Sequence, residues 1–177
     1  MKKNNLAKKN IQGLSLIEIL VAITIFAILG VVVSGSLILT IQGSRKSESQ
    51  IRVRENINYS MSVIERNLRN ASSVTSACNN TALANITYID QYGQPASFTC
   101  KNIGGADSYI ASGSATARLT SNAVAITVCS FTCKPSASAK PPMVVVDISA
   151  KDASATGVMG AVVTSQNQIY LRNQPEN

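Results

Sequence analysis

The sequence predicts an α+β fold, with one long N-terminal helix packed on an antiparallel β-sheet. Three observations predict it. From Ile19 through Ser44 the chain carries no charged residue and is predominantly apolar, a run longer than the ~20 residues a helix needs to cross a bilayer. Ile57, Met61, Ile64, Leu68 and Ala71 then recur at spacings of four, three, four and three, which is one face of an α-helix. Beyond Ala71 the period changes to short runs of β-branched and aromatic residues separated by Gly, Pro and Asn, the pattern of strands and turns.

Three segments follow from this: residues 1–13 as a leader, 14–43 as a hydrophobic helix, and 44–177 as a globular domain that begins with the amphipathic helix 44–71. The chain of 177 residues is long enough for one domain with its own core. The leader holds Lys2, Lys3, Lys8 and Lys9 and no acid, which is four of the seven net positive charges. These lysines fit the positive-inside rule and keep the N-terminus cytoplasmic. The basic balance is therefore largely a property of the leader. With no Arg/Lys stripe interleaved with aromatics, it does not point to nucleic acid.

Glu18 is the unusual residue of the apolar segment. A charge inside a bilayer costs ~2.5–3.5 kcal/mol on the insertion scale, so its presence near the start of the run needs a reason. Ser15-Leu16-Ile17-Glu18 fits the capping box, in which Ser15 and Glu18 satisfy free amides at a helix start. A plain signal anchor would leave the leader attached. A secretory signal could be cleaved after Ser36, where Ser34-Gly35-Ser36 offers small residues.

Gly13-Leu14-Ser15-Leu16-Ile17-Glu18 and the apolar run after it resemble the class III signal of type IV prepilins and pseudopilins. Members of that family have a short basic leader, a Gly, a hydrophobic residue, and a Glu four residues further on. Here Gly13, Leu14 and Glu18 hold those places, and the match extends over about Lys8 to Val33. Leu14 departs from the more usual Phe or Met. The resemblance implies cleavage between Gly13 and Leu14 by a prepilin peptidase, N-methylation of Leu14, and an assembly role for Glu18. It also implies that the helix packs into a filament with other pilin or pseudopilin subunits and engages an assembly platform. The location implied is the cytoplasmic (inner) membrane, crossed once, with the globular domain extracytoplasmic before it enters a pilus or pseudopilus. "INYSMSVIERNLRNA" (57–71) and the late "NQIYLRNQ" more loosely resemble the J-type minor pseudopilins of type II secretion and the W-type minor pilins.

The two helical stretches join without Pro, so residues 14–71 could form one helix of roughly 85 Å. Gly30, Gly35 and Gly43 interrupt it, at about 1 kcal/mol each relative to Ala. Major pilins commonly carry Pro where this chain has Gly35. The glycines either allow local unwinding or let helices pack closely. Ile64 and Leu68 are expected in the core, with Arg66 and Arg69 exposed.

In the globular part, Ile86–Ile89 and Ser97–Cys100 read as a hairpin around the turn Gln91–Pro95. Lys101–Arg118, rich in Gly, Ala and Ser, reads as loop. Ala123–Phe131, Met143–Ile148 and Gln168–Arg172 read as further strands, about five in all, joined by the connections Lys134–Pro142 and Ala150–Gly160. Four cysteines, Cys78, Cys100, Cys129 and Cys133, all lie beyond the apolar run. An even count in an oxidising compartment argues for two disulfides. The expected pairing is Cys78–Cys100, closing about 22 residues for roughly 3 kcal/mol, with Cys129–Cys133 across a tight bend.

Several chemistries lack their residues. There is no His, which removes His-based triads and His metal sites. No G-x-S-x-G, G-x-G-x-x-G or phosphate-loop pattern occurs. Cys129-Ser-Phe-Thr-Cys133 is not C-x-x-C, and Asp90, Asp107, Asp147 and Asp152 do not form a calcium-loop pattern. The sequence therefore predicts no catalytic residues, no metal and no cofactor. It predicts a structural subunit, a minor pilin or pseudopilin acting in filament initiation or at a tip. The alternative is a single-pass, membrane-anchored binding domain that does not polymerise.

Overall fold

The computed structural model describes residues 15–113, 117–135, 142–154 and 162–172. By internal contacts the chain divides into two units, Met1–Gly43 and Ser44–Asn177. One helix, α1 (Leu16–Asn70), opens the described chain. Among the described residues nine strands follow: β1 (Ser73–Val74), β2 (Ala82–Leu83), β3 (Asn85–Ile89), β4 (Pro95–Lys101), β5 (Tyr109–Ser112), β6 (Ala117–Arg118), β7 (Val124–Lys134), β8 (Met143–Asp152) and β9 (Val163–Tyr170). The architecture is α+β and pilin-like, a long N-terminal helix followed by antiparallel sheets. The helical segment containing Gly30 and Gly35 is continuous, and neither glycine has a neighbour that an added Cβ would meet.

In the Ser44–Asn177 unit the expected helical face is the buried one. Ile57, Ile64 and Leu68 have no exposed surface, Met61 and Ala71 have little, Ser60 is buried among them, and Val53 extends the same face upstream. Ser60 is polar yet buried because its hydroxyl donates to the Asn56 carbonyl at 2.9 Å, which removes the cost of an unpaired polar group. Arg66 and Arg69 are exposed, and Arg69 forms an i,i+4 ion pair with Glu65.

The strands form two sheets where the sequence suggested one. The first has the order β1-β3-β4-β5-β6 and the second β2-β7-β8-β9, with every pairing antiparallel. The β3–β4 hairpin forms as expected. Asp90 Oδ1 accepts the amides of Tyr92 and Gln94 at 2.8 Å each. Gly93 supplies the left-handed φ of +80° that a side chain would resist. Within the sheet Tyr88 stacks on Phe98 at 5.5 Å between ring centroids. Burial, and secondarily the nearby Asp90 charge, push the Tyr88 hydroxyl up to about 12.

The segment Lys101–Arg118 is not all loop, since it contains β5 and β6. Its small residues give no strand period of their own; pairing supplies the structure. Lys101, Cys100, Thr99 and Phe98 pair with Tyr109, Ile110, Ala111 and Ser112. Two buried hydroxyls hold the adjoining backbone. The Ile126 amide donates to Ser108 Oγ at 2.7 Å, and the Ile110 amide donates to Thr120 Oγ1 at 3.3 Å. Strand pairing with a neighbour outweighs intrinsic propensity here. Most of the expected connection Lys134–Pro142, and residues 155–160 of Ala150–Gly160, lie outside the described residues.

The last three strands run longer or start earlier than expected, and β7 carries a bulge between Ile126 and Val128. The bulge matters because side chains alternate faces along a strand. Val124 and Ile126 are buried before it, and Phe131 and Cys133 after it. The extra residue moves the core face from even to odd positions. Side chains of α1 and both sheets meet in one core cluster that includes Ile57, Ile64, Leu68, Phe98, Ile110, Ile126, Phe131, Val146, Ile148 and Ile169.

Both bridges use β7, and the expected pairing is corrected. Cys78 joins Cys133 and Cys100 joins Cys129, with Cα–Cα distances of 4.5 and 6.0 Å. Cys129 and Cys133 both sit within β7, so they lie roughly 13 Å apart along an extended strand, beyond the ~7 Å limit for a disulfide. The tight bend assumed between them does not exist.

Candidate functional site

The candidate site is the start of α1. Ser15 precedes the first helical residue, and its carbonyl accepts the amides of Glu18 at 3.0 Å and Ile19 at 3.3 Å. That is the backbone arrangement of a residue flanking a helix N-terminus. Glu18 lies in the first turn and is exposed. A carboxylate there interacts favourably with the positive end of the helix dipole, typically by about 0.3–1 kcal/mol. Gly13 and Leu14, the expected cleavage and methylation positions, lie outside the described residues.

After Glu18 the helix is apolar all round. Leu16, Phe26, Val31 and Leu39 are each at least 70% exposed. An 18-residue window in α1 has a mean hydropathy of 2.9, and none of it is buried. A helix with apolar residues on every face is stable only in lipid or within a bundle. The polar groups of the segment are arranged for such surroundings. The hydroxyls of Thr24, Ser34 and Thr40 donate to the carbonyls of Val21, Gly30 and Ser36 at 2.8, 2.8 and 2.9 Å. Bonding back onto the same helix satisfies each hydroxyl without water. The sequence alone gives these three residues no such role. Their signal is a Ser or Thr three or four residues after any carbonyl of an apolar helix, too common to be noticed alone.

Elsewhere the four cysteines and the lone acids have structural partners. The four cysteines are consumed in the two bridges. Asp90 closes the hairpin turn, Asp107 pairs with Arg118 at 2.8 Å, and Asp147 accepts from Gln166. Asp152 accepts from the Ser154 amide at 2.9 Å and the Ser154 hydroxyl at 2.7 Å, with Arg52 at 3.9 Å. Among the described residues no three His, Cys, Asp or Glu side chains converge as a metal site would require. Two surface hollows lie along α1 alone, one beside Ile51 and Arg54 and the other beside Glu65 and Arg69.

The charge-free run from Ile19 to Ser44, the carboxylate of Glu18 just before it and the basic leader coincide with a known signal. Residues 8–34 match the prokaryotic N-terminal methylation motif. The motif covers the basic leader's last lysines, Gly13, Leu14, Glu18 and most of the apolar run, and it supports a type IV pilin-like or pseudopilin precursor. Proteins that carry it as pilins are structural, and the motif together with the apolar helix points to membrane anchoring. Neither a curated protein nor a solved structure matches the chain.

Proposed function

We propose that the chain is the precursor of a minor pilin or pseudopilin, a structural subunit of a type IV pilus, a type II secretion pseudopilus or a DNA-uptake filament. The observation that carries this reading is the coincidence of the methylation motif at residues 8–34 with an apolar helix that is unburied on every face. The subunit waits in the cytoplasmic membrane with its N-terminus inside and residues 44–177 outside. A prepilin peptidase cuts between Gly13 and Leu14, and the new Leu14 amine is methylated. The helix then leaves the bilayer for a bundle of neighbouring helices, driven by the assembly platform.

Glu18 has its role in that transfer. It lies four residues, roughly 6 Å, beyond Leu14 along a helix. Subunits in a filament are offset along its axis, so the Glu18 of one can meet the Leu14 amine of the next. In an apolar bundle an unpaired charge is strongly disfavoured, so only the stagger that pairs these groups is stable.

The test is the fate of the N-terminus and of Glu18 variants. Intact mass should place Leu14 at the start of the mature chain. A start at Met1 would instead mean a plain anchor, and a start at Leu37 a secretory protein. Glu18→Gln should be inserted and cleaved normally but lost from sheared filaments, whereas Ser15→Ala, the control for the capping-box alternative, should assemble. Normal assembly of Glu18→Gln would show that the charge is not used.

A further inference from the structure

We infer that the chain is a client of a thiol–disulfide isomerase, because its native bridges are not the ones an unfolded chain forms most readily. The inference rests on the reading above that residues 44–177 fold in an oxidising compartment. The four cysteines occur in the order Cys78, Cys100, Cys129, Cys133. The native pairs are nested, Cys78–Cys133 enclosing Cys100–Cys129, with sequence separations of 55 and 29. Pairing in order along the chain would close much shorter loops, 22 residues for Cys78–Cys100 and four for Cys129–Cys133. Loop closure probability falls as about the three-halves power of length. Both ordered loops are shorter than either native one, so the ordered pairing is favoured in an unfolded chain. Order of export acts in the same direction, since Cys78 and Cys100 emerge before either partner on β7.

Only tertiary structure reverses this preference. Cys100 lies in β4 of one sheet and Cys129 in β7 of the other, so they meet after the two sheets have come together. A Cys129–Cys133 bridge prevents that, because the two residues cannot be joined while β7 is extended. β7 is an inner strand of its sheet, paired with both β2 and β8. An ordered isomer consequently cannot lay down the second sheet.

The ordered isomer also cannot correct itself. Exchange requires an attacking thiolate, and two bridges use all four cysteines. The nucleophile must come from outside, from the reduced dithiol of an isomerase. Its thiolate attacks Cys133 Sγ, breaks the Cys129–Cys133 bond and releases the Cys129 thiolate. Cys129 attacks Cys100 Sγ, forming Cys100–Cys129 and releasing the Cys78 thiolate. Cys78 attacks Cys133 Sγ in the mixed disulfide, forming Cys78–Cys133 and returning the enzyme thiolate. Two disulfides exist before and after, one thiolate enters and one leaves, and no net oxidation occurs. The end state is protected, because Cys100 and Cys133 are buried, at 8% and 3% exposure.

The test is non-reducing peptide mapping of the full-length chain, expressed in cells that keep their thiol oxidase but lack the envelope isomerase. Cys78–Cys100 and Cys129–Cys133 peptides should accumulate there, and the nested pairs should dominate when the isomerase is restored. The double variant Cys100→Ala with Cys129→Ala has one possible bridge and should form Cys78–Cys133 equally with and without the isomerase. If that variant is degraded, Cys78→Ala with Cys133→Ala serves the same purpose through Cys100–Cys129. Wild-type chain with nested bridges at full yield in the isomerase-deficient cells would overturn the inference and leave the filament-subunit reading intact. Free thiols in both strains would overturn the exported-domain reading and this inference together.

Discussion

Asp152 acquires its role from residues distant in sequence. It is almost fully buried at the end of β8, where an ionised carboxylate is costly unless hydrogen-bonded. Hydrogen bonds from the Ser154 hydroxyl lead the groups that hold its carboxyl below the usual carboxylate range. The Ser154 amide, Ser49 and Arg52 act in the same direction, against the upward push of burial. The folded value therefore lies below the unfolded one. The stabilisation is present above the unfolded pKa of about 3.9 and is lost as pH falls through the folded value. In a fragment of residues 44–177, urea midpoints should decline below about pH 4, and Asp152→Asn should flatten part of that decline while lowering the midpoint at pH 7. An unaltered acid limb in the variant would remove Asp152 from the account. Glu18 belongs to the same scale with the opposite legibility: its exception to an apolar run is visible in the sequence, while the partner proposed for it lies in another molecule.

At the scale of elements, α1 and β7 differ in how openly the sequence encodes them. The face of α1 that packs in the Ser44–Asn177 unit was readable from spacing alone, because a helical period needs only local information. Leu68 is fully buried at its centre. Leu68→Ala should destabilise the 44–177 fragment by about 2–5 kcal/mol as a core truncation, read as a lower denaturant midpoint. An unchanged midpoint would mean that the helix does not pack as described. The sequence marks β7 as a strand but does not mark its bulge. The shift of its core face between Ile126 and Val128 depends on register against β8, and no property of Thr127 alone announces it. Its Oγ1 donates to the Ser149 carbonyl across the strand pair at 3.1 Å, a contact that exists only once the register is set.

Across the Ser44–Asn177 unit, the two disulfides tie the sheets and the early loop to one strand. Cys78–Cys133 anchors the segment before β2, where the Asn80 amide also donates to the Cys133 carbonyl at 3.1 Å. Cys100–Cys129 links the sheets directly. On the loop-entropy model, bridges with these separations each contribute about 3.5–4 kcal/mol. Replacing Cys100 and Cys129 together by Ala should lower unfolding free energy by about that amount, measured by denaturant titration of the oxidised 44–177 fragment. A loss well below 1 kcal/mol would indicate that the reduced chain already holds the sheets together.

The sequence by itself determined the features that depend on neighbours within a few turns. These are the apolar helix with Glu18 in its first turn, the amphipathic face from Ile57 to Ala71, the hairpin around Gly93, and the presence of two disulfides. The methylation motif belongs with them, since a peptidase signal is a linear string. Tertiary structure alone decided the division into two sheets, strands β5 and β6 within a Gly/Ala/Ser-rich stretch, the bulge in β7, and which cysteines pair. Each of these depends on what lies beside a residue after residues far apart in the chain have met. Ala, Ser and Gly carry too little local preference to announce a strand, and four cysteines permit three pairings. The physical reason is that period and capping are local energies, whereas strand partner, register and disulfide connectivity are choices among non-local contacts that only the packed core discriminates.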